Sequence, residues 1–268
     1  MARNLVLDFD SILDVALKGL RRSSVFMGFG INAVSDSNNA SYQLSNITQI
    51  QIIPDNVPPA VLKHFKEEFK IWIVAGALRE ITESFNLFLD ELHRACSTVY
   101  AIRRKIDMEE TDKRQANFAK EGLSKKLDQL ERNYQVTPKR KAFLLLLNRA
   151  RNCLTHRNGR VGPEDIKGET NFTVQWGGLD IFVEEPNGNK IYFSQMPEEG
   201  ILLESGGTVK AQFVERHRTF DNGEMLFLSP RDLAEISWFY EREARFIAAS
   251  GLAYARANGA IIMDSYKT

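Results

Sequence analysis

The chain has 268 residues, with 35 basic and 35 acidic side chains and no formal net charge; 43% of residues are hydrophobic and 26% charged. That is ordinary for a soluble globular protein, and enough for one large domain or two small ones. Cys96 and Cys153 are the only cysteines, which excludes a disulfide scaffold and a zinc ribbon. A uniformly basic nucleic-acid coat is excluded by the overall charge, although not locally. The longest strictly apolar run, residues 142–147, falls far short of the ~20 residues that span a bilayer. Asp8 and Asp10 interrupt the apolar start, so it does not read as a signal peptide. The expectation is a cytoplasmic protein with reduced thiols and no membrane contact.

Residues 8–20 have helical spacing in Phe9, Ile12, Leu13, Ala16 and Leu20. The Ser/Asn-rich residues 35–46 read as a loop, and the alternation over 47–53 as a short strand stopped by Pro54, Pro58 and Pro59. Val74, Leu78, Ile81, Phe85, Phe88, Leu92, Ala95, Val99 and Ile102 then form a heptad stripe. A helix over 60–104 would be ~65 Å long at 1.5 Å per residue. Gly76 is its expected kink, and its stripe exceeds what a small bundle needs to bury, so part of it, or the helix end at Arg151–His156, is expected to pack against a second chain. Leu123, Leu127, Leu130 and Tyr134 mark a helix within 111–135. Pro138 is read as opening another, whose stripe is Phe143, Leu147, Ala150 and Leu154 and which Gly159, Gly162 and Pro163 end.

From 172 to 227 the texture turns to strands. Residues 179–183 and 191–194 flank Pro186-Asn187-Gly188-Asn189, a hairpin pattern, and 209–214 read as a third strand. Ser229-Pro230 with Asp232 starts the last helix, carrying Leu233, Ile236, Tyr240, Ile247 and Tyr254 on or near its buried face. The fold class is mainly α: a bundle of long antiparallel helices with a small antiparallel β insertion at about 170–228. Residues 1–56 form an N-terminal helix, loop and short strand, and 57–268 the helical domain.

Four histidines are present, and no two have metal-ligand spacing. His64, His93 and His217 read as solvated or singly hydrogen-bonded. His156 closes the run from Arg149 to Gly159 at a helix end, whose dipole favours a protonated imidazole. At 100° per residue Arg149, Asn152 and His156 share a face, and Arg151 lies at the edge of the apolar stripe. Between Glu131 and Glu164 stand eight basic residues and no acid: Arg132, Lys139, Arg140, Lys141, Arg149, Arg151, Arg157 and Arg160. Such a local positive field suits a phosphate-bearing ligand.

The run Arg151-Asn152-x3-His156 resembles the Arg-x4–6-His signature of the HEPN superfamily, in which a polar residue commonly follows the arginine; Arg149-x6-His156 also fits the spacing, with Ala150 in the polar position. The resemblance spans about 59–257, with the β segment as an insertion, and outside the motif it rests on architecture. It implies a HEPN-like bundle and a metal-independent endoribonuclease, a toxin or defence effector that leaves a 2′,3′-cyclic phosphate. His156 would be the general acid–base, Arg151 would balance charge on the phosphorane, and Asn152 would orient the 2′-hydroxyl or phosphate. Arg149, Arg157, Lys139 and Arg140 would track the RNA backbone. No metal and no cofactor are expected. RNA, a second copy of the chain, and an antitoxin or regulatory protein are the expected partners. Asn158 stands where members paired with nucleotidyltransferase antitoxins carry a tyrosine, so AMP transfer onto that position is not expected. The alternative is a non-catalytic bundle of the same type that binds RNA, a nucleotide or a protein.

Overall fold

The computed structural model describes residues 6–36, 57–197, 199–203 and 206–262. A two-residue strand β1 (Val6–Leu7) leads into α1 (Phe9–Asp36). The Asp8 carboxylate starts this helix by accepting from the Ser11 N–H at 3.0 Å and hydroxyl at 2.6 Å. These bonds hold its pKa below the ordinary carboxylate value. The helix runs well past the expected end at Leu20, because Ser23 and Val34 continue the buried face. The short strand expected at 47–53 lies outside the described residues.

The second helix, α2 (Pro59–Arg104), has nearly the expected bounds: Pro59 takes the first turn, and Lys105 ends the helix in the left-handed region at φ 55°. It is helical straight through Gly76. The heptad stripe is buried from Val74 to Val99, whereas Ile102 is exposed. The same chain supplies the cover, since α1, residues 141–156 and residues 230–257 all pack on α2. The stripe from Val74 to Val99 is therefore covered within the chain, which leaves its exposed end at Ile102 and the helix end at Arg151–His156 for the expected contact with a second copy. The Gly19 position lies against the Ser84 side chain and the Gly30 position against Ile73, so α1 runs antiparallel to α2. A Cβ at Gly19 would overlap Ser84, and glycine is what lets the two helices approach.

One helix expected within 111–135 is two. α3 (Met108–Ala119) and α4 (Leu123–Tyr134) are separated at Gly122, the N-cap of α4, and Phe118 and Leu123 are both buried on either side of the turn. Pro138 does not open α5 (Lys141–His156); it lies buried in the preceding segment. Arg140 is the N-cap and offers no capping side chain. The Glu243 carboxylate supplies that function from α7, accepting from the Arg140 N–H at 3.2 Å. A short α6 (Pro163–Ile166) follows, which the sequence pattern did not suggest.

The insertion is a three-stranded antiparallel sheet of order β3-β2-β4. β2 (Phe172–Glu184) and β4 (Thr208–Phe220) pair along their full length, from Phe172 with Phe220 to Glu184 with Thr208. β3 (Lys190–Tyr192) pairs with β2 from Phe182 to Glu184, and residues 193–195 make a single 3₁₀ turn. Both long strands exceed the expected segments. The inward side chains Phe172, Val174 and Trp176 carry β2 back onto the bundle. α7 (Pro230–Ala257) starts as expected, with Ser229 and Asp232 capping each other. A final strand β5 (Ile261–Ile262) lies parallel to β1. Phe9, Ala16 and Leu20 share one buried cluster with α2, α5, α7 and β2, so α1 belongs to the bundle core. No helix among the described residues is long and apolar enough to cross a membrane.

Candidate functional site at the end of α5

Leu144, Leu147, Ala150 and Cys153 are fully buried and pin α5 in the bundle. That packing fixes the directions of the polar residues between them. His156 ends the helix, is exposed, and makes no hydrogen bond or ion pair with the described residues. Arg151 and His156 are about 7.5 Å apart along the axis and ~140° apart around it. They flank the helix end rather than share a face.

Arg151 leans toward α2. Its Nη1 donates to Asn152 Oδ1 at 2.9 Å, and its Nη2 lies 3.9 Å from Glu83 Oε1. Its Nε is buried and has no hydrogen-bond acceptor among the described residues. The side chain is 21% exposed, and its guanidinium is held in place and under-used as a donor. The fully buried Tyr240 of α7 is close enough to feel it: burial pushes the phenol up to about 12, and Thr82 and the Arg151 charge oppose that rise.

The other basic residues are placed differently from the sequence expectation. Arg157 and Arg149 converge on Asp165, whose side chain is fully buried. Arg157 forms a two-pronged pair with this carboxylate, through Nε at 3.0 Å and through Nη2. Arg149 Nη1 donates to the Asp165 carbonyl at 2.9 Å, and its guanidinium lies over the Phe172 ring. Both are structural anchors of the α5–α6 turn and of β2, not free phosphate ligands as expected. Arg140 pairs with Glu215 at 2.7 Å and lies over Phe143 and Phe213. Lys141 pairs with Asp128 and Glu131. Lys139 meets no carboxylate among the described residues; its ammonium sits 4.6 Å over the Phe246 ring. Lys139 and Arg140 are also at the far end of α5, about 25 Å from His156 at the helical rise. Three of the eight basic side chains of the acid-free run, Arg140, Lys141 and Arg157, are thus paired with acids from α4, α6 and β4.

The remaining histidines and thiols are placed as follows. His64 is exposed, 3.5 Å from Glu68, and His217 is exposed on β4. His93 is buried rather than solvated. It stacks on Phe118 at 3.8 Å, contacts Gln115 Oε1 at 2.5 Å through Nδ1, and lies 3.5 Å from the Tyr134 hydroxyl. Burial lowers its pKa, opposed by Gln115 and Asp90. Burial pushes the Cys153 thiol up to about 11 and Cys96 up to about 12, so neither is a thiolate nucleophile near neutral pH. Among the described residues no group of three His, Cys, Asp or Glu side chains could hold a metal ion.

No protein-family model, no curated protein and no solved structure matches this chain. The site therefore stands on its own residues. Sequence reasoning located Arg151, Asn152 and His156 but missed Glu83 and Tyr240, which arrive from α2 and α7 and carry no local signal. Asp165 did have one: it lies three residues after Gly162 and accepts from that residue's N–H at 3.0 Å, the pattern of a helix start.

Proposed function

We propose that the chain is an endoribonuclease of HEPN type that cleaves RNA without a metal ion, with His156, Arg151 and Asn152 as its site. The observation that carries this reading is the state of Arg151: a positioned guanidinium whose donors are not saturated, one and a half turns before an exposed, unpartnered imidazole. Neutral His156 takes the proton from an RNA 2′-hydroxyl. The 2′-oxygen bonds to the adjacent phosphorus, and the bond from phosphorus to the 5′-oxygen breaks. The products are a 2′,3′-cyclic phosphate and a 5′-hydroxyl, whose proton comes from the imidazolium of a second copy's His156. Arg151 balances the charge that grows on the phosphorane oxygens, with a planar fork matched to phosphate. Asn152 holds that fork in place. The runner-up, a non-catalytic bundle that binds RNA or a nucleotide, is favoured by the 3.9 Å approach of Arg151 to Glu83, which gives the arginine a structural use.

Incubation with labelled single-stranded RNA in EDTA separates the two. Cleavage that falls by about 10²–10⁴-fold in both His156→Ala and Arg151→Ala, at unchanged helical circular dichroism, supports the ribonuclease. Full activity in His156→Ala, or RNA binding with no cleavage by the unaltered protein, overturns it.

A further inference from the structure

The opposite end of the bundle holds a cleft of about 610 Å³ that the α5 site does not use. Arg103, on its rim, lies twenty residues beyond Glu83 on α2, roughly 30 Å further along at the helical rise. The volume is within the ~300–1,000 Å³ typical of small-molecule sites. Its room comes from α7, where Ser250, Ala253 and Ala257 present short side chains on one face. Three tyrosines form the rest of the wall: Tyr100 on α2, Tyr134 at the end of α4 and Tyr254 on α7. Tyr134 meets Tyr254 at 5.2 Å between ring centres and Tyr100 at 6.4 Å. Tyr134 is almost wholly buried, whereas Tyr100 and Tyr254 are half-buried and keep part of their rings toward solvent.

Arg103 and Arg104 stand over this aromatic wall. Among the described residues their partners are Asn258 and the Tyr100 ring, and no acid lines the cleft. Arg103 is steered by a hydrogen bond to Asn258 Oδ1, and Arg104 lies 5.8 Å over the Tyr100 ring. Two guanidiniums therefore share a small concavity with aromatic faces. The C-terminal ends of α2, α4 and α7 meet there too; their partial negative charge favours hydrogen-bond donors and opposes an anion, so a phosphate is held only where the two guanidiniums outweigh it. A ligand that matches all three features is planar and aromatic, carries amino donors on its edge, and bears a phosphate. Aromatic faces stack on any base, and a phosphate monoester with about −1.5 to −2 charge at pH 7 answers two guanidiniums.

We propose that this cleft is a nucleoside monophosphate site, with a base against Tyr100 and Tyr254 and the phosphate on Arg103 and Arg104. It does not rest on the ribonuclease reading. Isothermal titration of the whole chain with AMP, adenosine and ribose 5-phosphate as probes tests it. AMP should bind saturably, with adenosine and ribose 5-phosphate each at least about tenfold weaker, since each keeps only half of the recognition. Arg104→Gln should weaken AMP by about tenfold, and Ala253→Phe, which fills an exposed position on the wall, should abolish binding at unchanged circular dichroism. His156→Ala should bind AMP like the unaltered protein, which keeps this result apart from the fate of the α5 site. No saturable AMP binding at about 1 mM overturns the proposal. So do equal affinities for AMP and ribose 5-phosphate, which would mean a bare anion contact, and unchanged affinity in both cleft variants.

Discussion

Two pairs of arginines sit at opposite ends of this bundle, and they differ in what answers their charge. Arg149 and Arg157 come from the most basic stretch of the chain, yet Arg157 is paired with the buried Asp165 carboxylate and Arg149 is held on that residue's carbonyl and over the Phe172 ring. Arg103 and Arg104 come from an unremarked helix end, yet their partners among the described residues are Asn258 and the Tyr100 ring. Local charge density in a sequence therefore does not measure available charge. Acids arrive from elements far away in the chain, as Glu215 reaches Arg140 and Glu83 approaches Arg151. Availability is a property of the fold.

The strongest way to break this contrast is at Asp165. Asp165→Asn removes the buried partner of Arg157 and leaves a half-buried guanidinium without its counter-ion. Loss of one member of such a pair costs about 3–5 kcal/mol, discounted here toward the lower figure because Arg157 keeps some solvent contact. Thermal unfolding should fall by roughly 6–12 °C for a chain of this size. A drop of only a degree or two would show that Arg157 is not an anchor.

A second measurement sharpens the contrast within α5. If RNA runs along that helix, Lys139→Gln should lower the log–log salt slope of RNA binding by ~0.7, the value of one single-strand phosphate contact. Arg140→Gln should lower it by less, because Glu215 already neutralises that guanidinium. Equal reductions would put Arg140 among the available charges after all. Smaller still is the effect expected of Glu83. The pair with Arg151 is long and half-exposed, worth about 0.2–1 kcal/mol at most. Glu83→Gln should release Arg151 and tighten RNA binding by roughly two- to fivefold, with little change in unfolding temperature. Weakened binding would assign Glu83 to the site itself.

The smallest expected signal is the pH dependence beside the tyrosine cleft. The pKa of His93 is lowered in the folded chain, chiefly by burial, so the unfolded chain binds its proton first as the pH falls. The corresponding stability is present above the ordinary value of 6.5 and is lost as the pH drops below it toward the folded value. His93→Gln should flatten this part of the stability profile in urea titrations between about pH 7 and 5. An unchanged slope would mean that another group carries it.

Much of the bundle was legible because it is written in periodicity. The stripe from Val74 to Val99 and the Ser229-Pro230-x-Asp232 start need only local geometry, and α2 and α7 came out nearly as read. Boundaries that depend on partners were not legible. α1 continues past Leu20 because α2 covers Val34 and Ser23, and nothing within 20–36 announces that cover. The break at Gly122 was visible as a glycine but not as a cap. At the site, the three motif residues were readable from their order. Their surroundings were less so: Glu83 and Tyr240 are brought in by tertiary packing, and only Asp165 has a local signal, at the start of α6. His93 shows the same limit from the other side: its polar sequence neighbours concealed a stacked, buried ring.

The parallel pairing of Val6–Leu7 with Ile261–Ile262 also sets an order in time. It clasps the start of α1 to the residues just after α7, closing a loop that contains nearly the whole described chain. Contacts of such long sequence separation form late, after the local helices and hairpins exist. A chain emerging from the ribosome can fold α1 against α2 early, yet it holds the first helix unclasped until residue 262 has been made. The clasp therefore waits for residues 261–262, and a chain cut back before them would leave Val6–Leu7 without this strand partner.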